Sequence, residues 1–261
     1  MALPIALQPF LERASRAALV VDFDGSLAPI VADPSRAHAL PAALDALAHL
    51  VPLLGRVGVI SGRPAAFLAT RVPIAGVELV GLYGLEQAVD GEIVVDERVA
   101  PWLDAIASAA DEAETALPGV LVERKGAATF TLHYRAEPER ADEVRACALE
   151  LSRRHGLGAP QRGRLAIELR PPVPVDKGTA LIEMVRGSVT AAFAGDDAGD
   201  LPAYGALTRL VHDGILEHAV RIGVRSAEAP PEILAADVVV DGPTGLTVLL
   251  QELAQAISER G

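Results

Sequence analysis

Short apolar runs alternate with amphipathic stretches along the chain. "ALVVDF" at 18–23 reads as a buried strand that ends in acidic residues. "PAALDALAHL" then places Leu44, Leu47 and Leu50 at helical spacing after Pro41. "RVGVI" predicts a second short strand that stops at "SGRP", and Pro64 is expected in the first turn of the helix "PAAFLATRV". "VELVGLYG" predicts a third strand, and "LEQAVDGEIVVDE" a hairpin turning at Asp90-Gly91.

The pattern changes from about residue 99. A helix, "APWLDAIASAADEAETAL", leads to the strand-like runs "VLVERK" and "ATFTLHYR". The helix "EPERADEVRACALELSRRHG" follows, then two short strands near "GLGAPQ" and "RLAIELR". The proline-rich "RPPVPVDKG" closes this unit as a linker would. The first style then resumes: helix "DKGTALIEMVRG", strands at "AAFAGDD", "HAVRIGV" and "ADVVVDG", and a final helix "PTGLTVLLQELAQAISER". The expected fold class is α/β: a Rossmann-like parallel-sheet core from residues 1–98 and 174–261, with a smaller α+β domain inserted at 99–173. In such a sheet ligands gather at the carboxyl ends of the strands. That rule selects Asp22/Asp24, Ser61 and Asp196/Asp197.

Composition supports an aliphatic core, because 51% of residues are hydrophobic and only 3% aromatic. The net charge of −12 argues against nucleic acid as a partner and repels anions at long range, so a phosphate site needs a local cation. Cys147, alone of its type, forms no intrachain disulfide and sits in a helical run, where a neutral thiol is the simpler reading. A disulfide-free chain, with neither a secretory leader pattern nor an apolar run of membrane-spanning length, is expected in the cytoplasm and away from membranes.

Asp22 and Asp24 place two carboxylates close together. Such a pair takes up a proton unless a cation lies between them, and Mg²⁺ favours oxygen ligands beside phosphates. A carboxylate can also attack phosphorus. The plainer alternative is a strand followed by a polar turn. Ser61 either offers its hydroxyl to an anion or caps a helix; Arg63 is either a phosphate ligand or a surface charge. Lys177 at a helix start opposes the helix dipole and calls for a negative partner, or is simply solvated. Asp196, Asp197 and Asp200 suit a metal site or an N-cap cluster.

Taken in order, "DFDGSL", "ISGR", "VDKGTAL" and "AFAGDDAGD" resemble the four motifs of the haloacid dehalogenase superfamily of phosphotransferases. The resemblance implies Asp22 as nucleophile, Asp24 as general acid/base, Ser61 on the phosphoryl group and Lys177 neutralising charge at Asp22. It implies Mg²⁺ held by Asp22, Asp196 and the Asp24 main-chain carbonyl, with Asp197 and Asp200 in support. The insert lies where one branch carries an α/β cap. "DFDGSLAPI", "VERKGAATFTLHYR" and "ELRPPVPVDKGTAL" are similar to the trehalose-6-phosphate phosphatase family. By that likeness Glu123, Lys125 and Glu168 bind sugar hydroxyls, while His133, Arg135 and Arg170 lie in matching motifs. Strand faces and surface ion pairs are the alternative for these cap charges. Two departures stand out: "GLYGLE" has Tyr83 where the family has histidine, and "GDDAGDL" has Gly199 and Leu201 where it has a hydroxyl and a glutamate.

The resemblance implies hydrolysis of trehalose 6-phosphate through an aspartyl-phosphate, with a sugar phosphate as the partner molecule and a functional link to a trehalose-6-phosphate synthase. Three rivals remain: a phosphatase for sucrose phosphate or a glycosylglycerate phosphate, a receiver-type signalling domain, and a catalytically inactive sugar-phosphate-binding protein. Asp24 and the large insert oppose the receiver reading.

Overall fold

The computed structural model describes residues 3–31, 33–163, 165–226 and 229–260. Its elements in chain order begin with α1 (Gln8–Glu12), β1 (Ala17–Val21), α2 (Pro41–Leu50), β2 (Arg56–Ile60), α3 (Ala65–Arg71) and β3 (Val77–Gly81). The hairpin strands β4 (Glu86–Val89) and β5 (Glu92–Val95) follow. Next come α4 (Leu103–Ala116), β6 (Leu121–Lys125), β7 (Thr129–His133), α5 (Ala141–His155), β8 (Gln161–Gly163) and β9 (Ala166–Leu169). The chain then forms α6 (Lys177–Met184), β10 (Thr190–Gly195), α7 (Leu201–His212), β11 (His218–Arg225), α8 (Pro231–Leu234), β12 (Val238–Asp241) and α9 (Gly242–Ser258).

The main sheet runs β12-β11-β10-β1-β2-β3-β4-β5, and a second sheet runs β6-β7-β9-β8. Strands β1, β2, β3, β10, β11 and β12 pair in parallel. β4 and β5 extend one edge antiparallel. Every residue of β1 is buried, because helices cover both faces. Its side chains alternate. Ala17, Leu19 and Val21 join a cluster with α2 and α9, while Ala18 and Val20 join another with α6 and α7. From β1 the chain winds outward through β2 and β3, and from β10 outward through β11 and β12. The order therefore reverses between β1 and β10, the crevice where open α/β sheets bind ligands.

The second sheet is antiparallel throughout. Phe130, Leu132, Ile167 and Leu169 pack against Ile106 and Ala110 of α4 and Val144 and Leu151 of α5. That leaves the opposite face to polar side chains. Leu82 and Leu85, which connect β3 to β4, are buried in this same cluster and join the two sheets.

Two local expectations shift. Pro64 stands just before α3, with ψ of 145°, rather than inside its first turn. The strand expected near "GLGAPQ" forms later, at Gln161–Gly163. Gly156 ends α5 in a left-handed conformation, and Ser152 Oγ binds the carbonyls of Leu157 and Gly158, which ties that segment to the helix end. Cys147 is half-buried, and burial pushes its thiol pKa up. Among the described residues no helix is long and apolar enough to cross a membrane.

Candidate active site

The carboxyl ends of β1, β2 and β10 deliver Asp22, Ser61 and Asp196 to one crevice. Val21 lies opposite Ala194, and Asp22 N–H donates to Ala194 O at 2.8 Å, so Asp22 and Asp196 emerge side by side. Asp22, Asp196 and Asp200 are all buried, and a carboxylate oxygen from each lies within 4.8 Å of the other two. Gly25 makes this approach feasible. Its φ is +82°, and a Cβ there would come 2.2 Å from Asp196 Oδ2.

Lys177 answers the charge. Its Nζ donates to Asp22 Oδ1 at 2.7 Å and to Asp200 Oδ1 at 2.6 Å, and all three groups are buried. Lys177 is the first residue of α6, where a cation opposes the dipole. The two carboxylates offset that cost, and Asp176 caps the helix by accepting from Thr179 N–H at 2.8 Å. Asp200 Oδ2 accepts from the main-chain N–H of Asp196 at 2.8 Å and of Asp197 at 3.2 Å. Asp200 thus organises the loop that carries Asp196. Asp197 is exposed, and its side chain accepts from Gly199 N–H at 2.8 Å.

Asp24 turns away from this cluster. Arg63 grips it with two bonds, Nε to Oδ2 at 2.6 Å and Nη2 to Oδ1 at 2.9 Å. Ser61 is buried, and its Oγ accepts from Arg63 N–H at 3.2 Å. Tyr83 N–H donates to Ser61 O at 3.0 Å and Leu82 N–H to Arg63 O at 2.9 Å. These bonds hold Tyr83 at φ 60°, an unusual conformation for an aromatic residue.

The second sheet faces this crevice with its polar side. Glu123, Thr131, Glu168 and Gln161 lie directly across neighbouring strands. Lys125 Nζ donates to Glu168 Oε2 at 2.8 Å, and His133 Nε2 pairs with Glu123 Oε2 at 2.7 Å. The His133 hydrogen bond holds the Glu123 carboxyl below the usual range, with Lys125 and Arg63 adding to the effect. Two cavities meet here. One, of about 470 Å³, is lined by Asp22, Asp24, Ser61, Arg63, Lys177 and Asp196. The other, of about 750 Å³, is lined by Thr131, Arg135 and Glu168. Tyr83, Glu123, Lys125 and His133 line both. Arg170 lies off these linings, its Cζ 5.8 Å from the Tyr83 ring centroid. Pro34 and Ser35 also wall both cavities, a contribution the sequence reading missed. The Asp33-Pro34-Ser35 turn, in which Asp33 caps a short helix, was the available signal.

The donors fit a hard divalent cation. Asp196 Oδ1 is buried with no hydrogen-bond partner, and burial with the nearby Asp200 and Asp197 charges pushes the Asp196 pKa from 3.8 to about 7. Burial likewise raises Asp22, against the pull of Lys177. A raised acid pKa means the folded state holds more protons than the unfolded state between pH 3.8 and about 7. Without a cation, the contribution of Asp196 to stability therefore falls as pH rises through that window. Binding a cation displaces the proton. The expected result is a rise in Tm on adding Mg²⁺ that is larger at pH 8 than at pH 5.5, measured by thermal unfolding. A larger rise at pH 5.5 would contradict this arrangement.

The sequence model of the family described as Trehalose-phosphatase matches residues 20–238. The chain is 33% identical over 258 residues to the trehalose-phosphate phosphatase of Mycobacterium bovis (strain BCG / Pasteur 1173P2), covering 94% of this chain and 63% of that one. Against the trehalose-phosphate phosphatase of Mycobacterium avium (strain 104), identity is 35% over 257 residues, with the same coverage of 94% and 63%. The chain thus spans less than two thirds of the length of these relatives. Among solved structures, a trehalose-6-phosphate phosphatase related protein superposes with a TM-score of 0.76 at 22% identity, covering 94% of this chain and 100% of that one. The C-terminal domain of a C. albicans trehalose-6-phosphate phosphatase gives 0.69 at 23%, covering 97% and 98%. At these identities the structural likeness is one of fold.

Proposed function

Because the chain belongs to the trehalose-phosphatase family, we propose that it hydrolyses trehalose 6-phosphate to trehalose and phosphate, with Asp22 as the nucleophile. The observation that carries this reading is the meeting of two unlike walls. An Asp22–Lys177–Asp196 cluster suited to phosphoryl transfer opens onto a hydroxyl-binding face of Glu123, Lys125, Thr131 and Glu168. We take 99–173 as the cap and 1–98 with 174–261 as the core.

In this mechanism an Asp22 carboxylate oxygen attacks phosphorus in line with the sugar oxygen. The phosphorus–oxygen bond to the sugar breaks, and Asp24 donates a proton to the leaving oxygen. Asp24 then takes a proton from water, which attacks the aspartyl-phosphate and frees Asp22. Arg63 bonds both Asp24 oxygens. The substrate phosphate, as a competing anion, draws Arg63 away and frees one of them. Ser61 bonds a phosphoryl oxygen, and Lys177 favours the ionised form of Asp22 against the effect of burial. Asp22, Asp196 and the Asp24 main-chain carbonyl would hold Mg²⁺, which supplies charge neutralisation for the phosphoryl group. Asp200 fixes Lys177 and the Asp196 loop, while Asp197 supports the same loop from outside. A trehalose-6-phosphate synthase is the type of enzyme that supplies this substrate.

On the cap, charged groups bond sugar hydroxyls from both sides, because carboxylates accept and ammonium donates. Arg135 and Arg170 flank that row. Glu123→Gln and Lys125→Ala are expected to raise KM for trehalose 6-phosphate by about 10- to 100-fold, the scale of one lost charge-assisted hydrogen bond. Hydrolysis of p-nitrophenyl phosphate, which has no sugar, should change little. Steady-state kinetics on both substrates is the test, and equal losses on both would move sugar recognition away from this face.

A further inference from the structure

Glu86 closes the "GLYGLE" segment, yet the mechanism above does not use it. It sits on β4, is 3% exposed, and burial pushes its pKa up. Its carboxylate spans the two sheets. Oε2 accepts from Ala65 N–H at 3.0 Å, at the start of α3 just after the Ser61–Arg63 loop. Its other oxygen, Oε1, lies against Gly126, in the turn joining β6 to β7, and the nearby main-chain N–H of Ala127 pulls the Glu86 pKa down against the effect of burial. That turn directly follows Lys125.

The approach is close enough to dictate the turn residue. Gly126 has φ of +57°, and a Cβ there would lie 1.8 Å from Glu86 Oε1. α3 has no side-chain cap of its own, because Pro64 precedes it, so Glu86 supplies the missing acceptor from a neighbouring strand. Burying a carboxylate for one helix end alone is a costly solution. Reaching both the start of α3 and the β6–β7 turn accounts for its burial.

We infer that Glu86 is a positioning residue, a latch that registers the β6–β7 turn against the Ser61–Arg63 loop and so sets Lys125 and Glu168 at the correct reach from Asp22. This rests on the proposed sugar-phosphate reading of the site. Phosphorus is engaged by the main sheet and the sugar by the second sheet, so their spacing must match the substrate. A small misplacement between reacting groups costs rate steeply. A substrate without a sugar does not sense that spacing.

Two variants test the latch from opposite sides: Glu86→Gln, which removes one of the two acceptor oxygens, and Gly126→Ala, which leaves Glu86 intact but obstructs the turn. Amide hydrogen exchange on the whole, ligand-free chain reads the contact without reference to activity. The expected result is exchange of the Ala127 segment faster by about tenfold or more in both variants. kcat/KM for trehalose 6-phosphate should fall by about 10- to 100-fold, against less than about threefold for p-nitrophenyl phosphate. Unchanged exchange at Ala127 in both variants would overturn the latch. So would equal losses on the two substrates, which would mark Glu86 as a cap for α3 alone. If the unaltered protein released no phosphate from trehalose 6-phosphate, the substrate reading would fall, and the Ala127 exchange would still decide the contact.

Discussion

Asp22→Asn is expected to abolish phosphate release from trehalose 6-phosphate, by at least about 10³-fold, as removal of a nucleophile does. An amide is a poor nucleophile toward phosphorus, and no nearby group replaces it. Asp24 is placed to exchange a proton with the leaving oxygen rather than to attack phosphorus, and Asp200 is engaged by Lys177 and two main-chain N–H groups. The fold should survive, because the change preserves volume and Lys177 keeps Asp200 as its partner. The measurement is phosphate release over time, with a thermal melt as control. A variant retaining a tenth of the normal rate would exclude Asp22 as nucleophile.

Lys177→Met should combine inactivity with a marked loss of stability. Lys177 is the buried cation between Asp22 and Asp200, and its removal leaves two like charges 0–5% exposed with no counter-ion. Breaking a buried ion pair from one side costs about 3–5 kcal/mol. For a chain of this size that corresponds to a fall in Tm of about 10 °C. Lowering pH should recover part of the loss, since the orphaned carboxylates can then take up protons. Mg²⁺ should recover part of it too. Thermal unfolding across pH, with and without Mg²⁺, gives the answer. A melt unchanged from the unaltered protein would mean that Lys177 is not the compensating charge.

Much of this is legible in the amino-acid sequence. Apolar runs that end in acids identified β1 and β10, although a polar turn or a helix cap was the alternative reading of those acids. The runs "VLVERK" and "ATFTLHYR" were legible as strands, but three consecutive charges at Glu123–Lys125 did not say which face of the sheet meets the crevice; that face holds Glu123, Lys125, Thr131 and His133. Lys177 at a helix start already pointed to a negative partner, with a solvated lysine as the alternative. Other features depend on the path of the backbone. Spacing in "GDDAGD" cannot say which carboxylate turns inward. The tight turn Ala198–Asp200 sends Asp200 to Lys177 and leaves Asp197 exposed. The Asp24–Arg63 pair joins residues 39 apart, across two strand ends. Glu86 reads locally as an ordinary residue of a strand, and only the fold brings the turn at Gly126, 40 positions later, against its carboxylate. The short helices α1 and α8 carry too few residues for a periodic signal.

The most direct test of the central claim is phosphate release from trehalose 6-phosphate with Mg²⁺, beside glucose 6-phosphate and sucrose 6-phosphate, each repeated in EDTA. The account predicts rapid release from trehalose 6-phosphate, little from the other two, and none once the cation is removed. Release from sucrose 6-phosphate in preference would keep the phosphoryl chemistry and contradict the sugar assignment. No release from trehalose 6-phosphate, or release that EDTA leaves untouched, would contradict the account at its centre.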